Sequence, residues 1–256
     1  MASFPPPASV SDFEAVLRRL EDVQGWLTAD QAQRLWEASR GLAPPATVVE
    51  IGSYHGRSTV VLAHAAPEGV HVVAIDPHAG HDRGPREIHG TAAAGQSDHE
   101  RFLHNLRQGG VAERVRHVRK RSQDALDDVD GPVDLLYIDG AHRFRPALAD
   151  ISGWGARVHE GGTMFIHDSF NAVGVTLAQL TTLVPGKRFR FVRRTGSLSE
   201  YRREELPGRQ RVANAVRQLA QLGYFARSIG IKLALVARLR PLARLLGHRT
   251  DDPWPY

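Results

Sequence analysis

Four acidic side chains lie at the ends of apolar runs in this sequence, and one histidine follows the third of them. The acids are Glu50, Asp76, Asp139 and Asp168, and His142 stands three residues after Asp139. Each apolar run is short and is followed by turn residues, which predicts a buried strand. Because the carboxyl ends of the strands in an open α/β sheet meet at one edge, where ligands bind, we expect these five side chains to converge there.

The pair Asp139 and Asp168 has the chemistry of a cation site. Carboxylate oxygens are the ligands that Mg²⁺ prefers, and two neighbouring strands would bring these two together. An imidazole titrates near neutral pH, so His142 suits the role of a general base. Two other interpretations stay open: each acid caps a helix, and His142 only orients Asp139.

A glycine-bearing loop joins the first predicted strand to its helix. The apolar run Val48–Ile51 stops at Gly52, and the helix begins after Gly56 with Ser58 and Thr59 in its first turn. Glycine permits the backbone to leave the strand where a Cβ would obstruct it. The free N–H groups of a first helical turn favour a polar or anionic ligand, so this loop is predicted to bind one.

The spacing in this loop differs from two common nucleotide-binding motifs. Tyr54 stands where a dinucleotide loop needs its second glycine, and Arg57 stands where a P-loop needs lysine. Asp76, about twenty residues past the loop, is placed to accept hydrogen bonds from ribose hydroxyls. A helix-capping role is its alternative.

The periodicity predicts an α/β fold with a doubly wound, mostly parallel, seven-stranded sheet whose last strand runs antiparallel. Two helices precede it, from Ser11 and from Thr28; they cover the sheet, the ligand site or a second subunit. The predicted strands are 48–51, 70–75, 114–119, 133–138, 163–167, 188–192 and 197–201, and the helices among them are 98–108, the segment opening at 122, 146–158 and 175–184.

The segment from Pro77 to Ser97 is long and rich in histidine. Such a segment is typical of a lid or binding loop, or of a disordered one, and we expect it to set acceptor specificity together with the N-terminal helices. His78 and His81 have the composition of metal ligands, but no carboxylate spacing supports that interpretation.

The loop pattern E-x-G-x-x-x-G resembles the first motif of class I S-adenosylmethionine-dependent methyltransferases. Ile138–His142 resembles the D-G-x-H stretch of macrolide-sugar O-methyltransferases, and Ser122–Asp124 is similar to an adenine-contacting segment of catechol O-methyltransferase. This resemblance covers roughly residues 48–183 and implies a Rossmann-like methyltransferase fold.

The resemblance also implies roles for individual residues. It assigns Mg²⁺ binding to Asp139 and Asp168 and the base to His142. Those families usually follow the second Asp with another Asp or Asn, whereas Ser169 follows it here, which makes Asn171 the candidate third ligand. The residues implied to bind S-adenosylmethionine are Glu50, Gly52, Ser53, Tyr54, Gly56, Ser58, Thr59, Asp76, Ser122, Gln123 and Asp139.

Composition divides the chain into a helical lead-in (1–44), a cofactor-binding domain (45–205) and a basic helical tail (206–256). The 256 residues carry a formal net charge of +5 and no cysteine, which excludes disulfides and thiolate chemistry. The positive charge is concentrated in the tail, because no acidic residue lies between Leu206 and Thr250.

The tail alternates apolar residues and arginines at helical spacing. Its apolar runs are expected to be too short and too charged to span a bilayer. A basic amphipathic helix is typical of membrane-surface binding, or it packs on the core or on a second subunit. Nucleic acid is not expected, because aromatic residues are sparse in the tail.

These features predict a cytoplasmic, Mg²⁺-assisted O-methyltransferase that acts on a small hydroxylated or glycosylated acceptor. Peripheral membrane contact and a homo-oligomer are further expectations. The alternative is a non-catalytic cofactor-binding module that the tail recruits to a membrane or a complex. A hydroxylase would need an oxidising centre, and the sequence contains no 2-His-1-carboxylate motif for one.

Overall fold

The structure is a computed structural model that describes residues 10–81 and 90–248. The strands are β1 Ala46–Ile51, β2 Val70–Ile75, β3 Val115–Val118, β4 Val133–Ile138, β5 Val158–Ile166, β6 Phe189–Thr195 and β7 Leu198–Arg203. The α-helices are α1 Val10–Arg19, α2 Ala29–Arg40, α3 Arg57–Ala65, α4 Ala92–Gln108, α5 Phe144–Arg157, α6 Val173–Thr182, α7 Gly208–Leu219, α8 Leu222–Val236 and α9 Arg240–Leu245. Two 3₁₀ helices cover Ala112–Arg114 and Ser122–Asp128.

The seven strands form one sheet in the order β3-β2-β1-β4-β5-β7-β6. Strands β1 to β5 pair in parallel, whereas β7 runs antiparallel to both β5 and β6. The predicted seven-stranded, mostly parallel sheet is therefore confirmed. The strand order reverses between β1 and β4, and a sheet of this type binds its ligand at that point, outside the carboxyl ends of the strands.

Alternate side chains of β1 serve the two faces of the sheet. Val48 belongs to a buried cluster with residues of α1, α2 and α3, and Val49 to another with residues of α5 and α6. Both valines are fully buried. A strand buried on both faces has no polar alternation, which is why this segment reads as a continuous apolar run.

Several element boundaries differ from the predictions. Helix α4 begins at Ala92 instead of Asp98, because Thr91 caps it by accepting a hydrogen bond from the Ala94 backbone N–H at 3.1 Å. The long loop predicted for 77–97 is correspondingly shorter, and its residues 82–89 lie outside the described part of the chain. Strand β5 begins at Val158 instead of Thr163, and the segment opening at Ser122 is a 3₁₀ helix.

The two N-terminal helices pack against the domain. The second helix begins with a capping box, in which the side chains of Thr28 and Gln31 each accept a hydrogen bond from the other's backbone N–H. Helices α1 and α2 both contact α3. The Arg57 guanidinium donates hydrogen bonds to the backbone carbonyls of Leu20 and Val23 at 2.7 and 2.8 Å, which ties the α1–α2 connection to the start of α3.

The basic tail folds into α7, α8 and α9. Asn214 of α7 bonds β6 in two ways: its Oδ1 accepts from the Phe191 N–H at 2.7 Å, and its Nδ2 donates to the Phe189 carbonyl at 3.0 Å. One stretch, Gly208–Val236, is long enough to cross a membrane and contains an 18-residue window with a mean hydropathy of 1.2, which meets the criteria for a membrane-crossing helix by length and composition only. The stretch is divided between α7 and α8, and the expectation that the tail does not span a bilayer stays a prediction.

Candidate active site

A cavity of about 600 Å³ opens at the carboxyl ends of β1, β2 and β4. Its volume lies in the range of sites that hold a cofactor-sized ligand. Most of the sequence-predicted cofactor residues line it: Gly52, Ser53, Tyr54, Ser58, Asp76, Ser122, Gln123 and Asp139. The connection between α1 and α2 closes one side through Gln24, Gly25, Trp26 and Leu27.

The glycine loop is shaped by close backbone contacts. Gly52 has φ = 83°, and a Cβ there would lie 2.1 Å from the backbone oxygen of Asp139. The two strand ends therefore approach each other only because position 52 lacks a side chain. Gly56 has φ = 84°, and a Cβ there would lie 3.1 Å from the ring of Phe102 on α4. The side chain that packs closely against Gly56 is thus a phenylalanine.

Asp76 holds the glycine loop in place. Its Oδ2 accepts hydrogen bonds from the backbone N–H groups of Ser53 and Tyr54 at 3.0 and 2.9 Å, and its Oδ1 accepts from the His78 N–H at 2.7 Å. A carboxylate offers about four acceptor positions, so three of them are used by the backbone. Asp76 still lines the cavity, and its predicted contact with ribose hydroxyls stays a prediction.

Glu50 and Thr59 lie beneath the loop and do not line the cavity. Both side chains are fully buried, and Glu50 accepts hydrogen bonds from the hydroxyls of Ser58 and Thr59. Burial raises the pKa of the Glu50 carboxyl to about 8, so it is protonated at neutral pH. The arrangement fixes the end of β1 to the first turn of α3, which is a supporting role for two of the predicted cofactor residues.

Ser122 and Gln123 are held by an aspartate that the sequence analysis did not select. The Oδ1 atom of Asp150, on α5, accepts from the Ser122 hydroxyl and from Gln123 Nε2, the latter at 2.9 Å. Burial raises the pKa of Asp150 to about 6. An acidic residue on the buried side of a predicted helix was the available signal for it, since such a residue needs partners inside the protein.

The predicted reaction residues meet beside this cavity. Asp139, His142 and Asp168 place one ligand atom each within 4.8 Å of one another. The Nε2 atom of His142 lies 2.9 Å from Asp168 Oδ2. Asp168 has φ = 51°, a left-handed conformation that costs free energy in a residue other than glycine and is common at functional sites.

Charge pairing governs ionisation in this group. Burial opposes ionisation of both partners, but the two neighbouring histidines outweigh it at Asp168 and hold the pKa of that carboxyl well below its ordinary value. At His142 burial is outweighed in the same way by Asp168 and Asp139, which raise the imidazole pKa. Asp168 is therefore a carboxylate over the whole physiological pH range.

His167 is a member of this group that sequence reasoning missed. Its Nδ1 lies 3.1 Å from Asp139 Oδ1 and 3.6 Å from Asp168 Oδ2, and the Tyr137 hydroxyl donates to Asp139 Oδ2 at 2.9 Å. Although burial opposes it, the two carboxylates raise the pKa of His167 well above its ordinary value. Its place at the end of an apolar strand, next to Asp168, was the signal available in the sequence.

Asn171 forms a hydrogen bond with one of the two carboxylates. Its Nδ2 donates a hydrogen bond to Asp168 Oδ1 at 3.0 Å, so the amide supports the carboxylate from behind. The imidazole of His142 places a ring nitrogen close to both carboxylates. The third-ligand role suggested for Asn171 stays a prediction.

Comparison with known proteins agrees with the fold. Residues 49–169 match the family model described as a methyltransferase domain. An O-methyltransferase from Bacillus cereus, solved with S-adenosylhomocysteine, is similar with a TM-score of 0.54 and 15% identity, over 77% of this chain and 92% of that one. The S-adenosylhomocysteine-bound methyltransferase PaMTH1 of Podospora anserina gives 0.51 and 15%, over 80% and 91%.

A calicheamicin methyltransferase, CalS11, gives a TM-score of 0.51 and 16% identity over 76% of this chain and 93% of that one. Among curated sequences, the uncharacterised protein y4gI of Sinorhizobium fredii is 27% identical over 132 residues, which are 49% of this chain and only 13% of that protein. Residues 49–169 therefore match a methyltransferase domain, and the chain shares its fold with methyltransferases of known structure.

Proposed function

We propose that this enzyme transfers the methyl group of S-adenosylmethionine to a hydroxyl oxygen of a small hydroxylated or glycosylated molecule. The observation that carries the proposal is the convergence of Asp139, His142 and Asp168 at the edge of the cavity that the glycine loop lines. In this reaction the acceptor oxygen forms a bond to the methyl carbon while the bond between that carbon and sulfur breaks, the sulfonium becomes a neutral thioether, and the hydroxyl proton passes to a base.

The cavity walls suit the cofactor. Backbone groups of the glycine loop and the side chains of Ser122 and Gln123 would face its polar parts, while the carboxylate of Asp139 attracts the positive sulfonium. The main contribution of such a site is to hold the acceptor oxygen and the methyl group in line. Trp26, whose indole stacks on the Tyr54 ring at 5.6 Å, would help to keep water out of the cavity.

Asp139 and Asp168 would hold a divalent cation through their carboxylates. The residues present fit such an ion, because two carboxylates and an imidazole place their ligand atoms within 4.8 Å of one another. Mg²⁺ prefers oxygen ligands, so the two carboxylates are its proposed protein ligands and His142 stays available for proton transfer. A cation bound there supplies electrostatic stabilisation of the developing alkoxide.

His142 is the proposed general base. The ion pair between its Nε2 and Asp168 Oδ2 fixes the ring orientation and raises its basicity, as a carboxylate does for a histidine that must accept a proton. Tyr137 and His167 hold Asp139 from the other side. Asp168 would therefore orient the proton-accepting ring in addition to binding the cation, while Asp139 is kept in place for the cation or the cofactor.

Calorimetric titration with S-adenosylhomocysteine, with and without Mg²⁺, followed by an acceptor screen with S-adenosylmethionine, tests this proposal. We expect binding of S-adenosylhomocysteine in preference to NAD, and transfer that depends on a divalent cation. The matched control is Gly52→Val, whose side chain would collide with the backbone at Asp139 and should remove cofactor binding. Preference for NAD would contradict the cofactor assignment. Full activity in EDTA would contradict the cation.

The alternative, a non-catalytic cofactor-binding module, makes a different prediction for the same experiment. It binds S-adenosylhomocysteine but transfers no methyl group to any acceptor in the screen. The organised group of Asp139, His142 and Asp168 favours catalysis. A cytoplasmic location and a homo-oligomer stay predictions.

A further inference from the structure

Helix α7 is inverted relative to an ordinary surface helix. Its buried residues are the polar Asn214 and Gln218, while Val212, Val216 and Leu219 are exposed at spacings of four and three. An amphipathic helix normally turns its apolar stripe to the core. The polar side chains of α7 therefore form hydrogen bonds with the sheet, whereas no described residue covers the aliphatic side of α7.

The same pattern continues into α8 and α9. Ser228, Ile231 and Ala234 form the buried side of α8, whereas Leu233 and Val236 are 64% and 70% exposed. In α9 the small Ala243 is buried and Leu245 is 83% exposed. We define the tail face as the exposed large aliphatic residues of these helices: Val212, Val216, Leu219, Leu233, Val236, Leu239, Leu242 and Leu245.

The tail is anchored to the domain, so the tail face is presented in a fixed place. The Arg194 guanidinium of β6 lies 3.6 Å from the ring centroid of Tyr224, and Lys232 Nζ donates to the Asn171 carbonyl at 2.7 Å. Asn171 in turn bonds Asp168. The helix that carries Leu233 and Val236 thus contacts the loop behind the candidate active site.

The segment that carries the tail face is basic in sequence. From Leu206 to Thr250 the sequence has no acidic residue and nine basic ones: Arg209, Arg211, Arg217, Arg227, Lys232, Arg238, Arg240, Arg244 and Arg249. Eight exposed aliphatic side chains without a cover require a partner that accepts apolar surface. The surrounding cations require that this partner be anionic.

We propose that the tail face docks on an anionic lipid bilayer surface, with the aliphatic side chains in the acyl boundary and the arginines at the headgroups. A lipid surface is the partner that offers both chemistries at once. A second copy joined through the same face would bring two sets of cations together. Nucleic acid offers phosphates but no environment for exposed leucines, and base stacking needs aromatic side chains.

Flotation of the full chain with vesicles tests the proposal. Vesicles of neutral phosphatidylcholine are compared with vesicles containing 30% phosphatidylglycerol, a fraction of about one third chosen to give a strongly negative surface. We expect binding to the anionic vesicles alone. Arg240→Gln/Arg244→Gln should weaken it about thirtyfold, because each arginine near such a surface contributes about fivefold in affinity. The matched charge control, Arg101→Gln/Arg107→Gln on α4, should bind as the wild type does.

Leu233→Ser/Val236→Ser tests the apolar half in the same assay. Both positions are exposed, so the fold should survive, which circular dichroism checks, and vesicle binding should fall about tenfold. Its matched control is Val173→Ser/Leu177→Ser, an exposed apolar pair outside the tail. Equal binding to neutral and anionic vesicles, no binding to either, or equal loss in test and control variants would each overturn the proposal.

Two other partners of the tail face, a second copy of the chain and nucleic acid, predict different results. A dimer in sedimentation that dissociates in Leu233→Ser/Val236→Ser, without vesicle binding, would assign the tail face to a second copy and overturn the lipid proposal. Tight binding to duplex DNA, with no vesicle binding, would assign the charges to nucleic acid and overturn it equally.

Discussion

The candidate active site has two halves, a cofactor half and a reaction half, that differ in the groups that build them. The cofactor half is shaped by the backbone and by groups that are neutral or already hydrogen-bonded. Gly52 has a left-handed conformation, Asp76 accepts hydrogen bonds from three backbone amides, and a protonated Glu50 lies beneath them. The reaction half consists of the charged pairs of Asp168 with His142 and His167. Substitutions in the two halves should therefore separate cofactor affinity from turnover.

The largest effect is expected for Asp168→Asn in the reaction half. The amide has nearly the same shape but no charge, so it loses cation binding and the partner that raises the pKa of His142. We expect turnover to fall by about 10³-fold, since a metal supplies several kcal/mol of stabilisation to such a transition state. Affinity for S-adenosylhomocysteine, measured by calorimetry, should stay within about threefold of wild type.

Asp134→Asn is the matched control for this variant. Asp134 lies 2.9 Å from Nε2 of His159, the same distance as in the pair of Asp168 with His142, but it is at the start of β4, at the opposite end of the sheet. Its loss should leave turnover unchanged. A loss of cofactor affinity in Asp168→Asn, with Asp134→Asn intact, would show that the two halves are one energetic unit.

His142→Gln should lower turnover by about 10²-fold while its dependence on the cation persists. In the wild type the base must be neutral, and neighbouring carboxylates raise its pKa against the opposing effect of burial. Activity should therefore rise with pH through a midpoint above the ordinary histidine value of about 6.5. The kcat/KM profile measures this midpoint, and in His142→Gln that limb should vanish.

His142 titrates together with the neighbouring charged side chains, so the pH profile of a second variant is needed. Asp168→Asn keeps His142 but removes the carboxylate that pairs with it, so we expect the midpoint of the kcat/KM profile to move to lower pH. If kcat/KM still rises with pH in the same way in His142→Gln, another group causes the titration, and the assignment of His142 as the general base is wrong.

The sequence predicted the fold and the residues of the reaction half, but not their partners. Strand-end acids such as Asp139 and Asp168 follow from apolar runs, and the sheet brings such ends together. His167 and Asp150 were missed because their importance depends on which side chain faces them, and linear spacing does not encode that. Glu50 was assigned to the cofactor, although the alternation of β1 turns it beneath the loop.

In the tail, the sequence predicts the helices but not which side of them is buried. Its periodicity predicts helices, and they are present as α7, α8 and α9. Hydrophobic pattern alone would turn Val212 and Val216 inward, yet the backbone groups of β6 bond Asn214 instead. An edge strand whose backbone needs partners therefore decided the orientation of the helix.

In the cofactor half, Asp76→Ala should weaken S-adenosylhomocysteine binding by about 1.5–3 kcal/mol, the usual cost of losing hydrogen bonds to a charged group. The physical reason is the three backbone N–H groups that Asp76 holds, of Ser53, Tyr54 and His78. Turnover at saturating cofactor should change little. Asp76→Asn is the conservative comparison, and unchanged affinity in both variants would remove Asp76 from the cofactor half.

The smallest effect is expected for Glu50→Gln, and it distinguishes a support from a ligand. Burial raises the pKa of Glu50 from 4.5 to about 8, so at neutral pH the folded protein already holds a neutral group that an amide can replace. Rotatable hydroxyls of Ser58 and Thr59 can accept from that amide. We therefore expect S-adenosylhomocysteine affinity within about threefold of wild type, while a tenfold loss would mean that the carboxyl contacts the cofactor.

The pH dependence of the free energy of unfolding should also reveal the proton on Glu50. The unfolded chain releases it near pH 4.5, whereas the folded chain keeps it up to about pH 8, so this group makes the wild type progressively less stable as pH rises between those values. Glu50→Gln removes the titration, and its free energy of unfolding should fall less over that interval in urea titrations. Equal pH dependence in both proteins would show that Glu50 ionises at its ordinary pKa, and the protonated link between β1 and α3 would then be wrong.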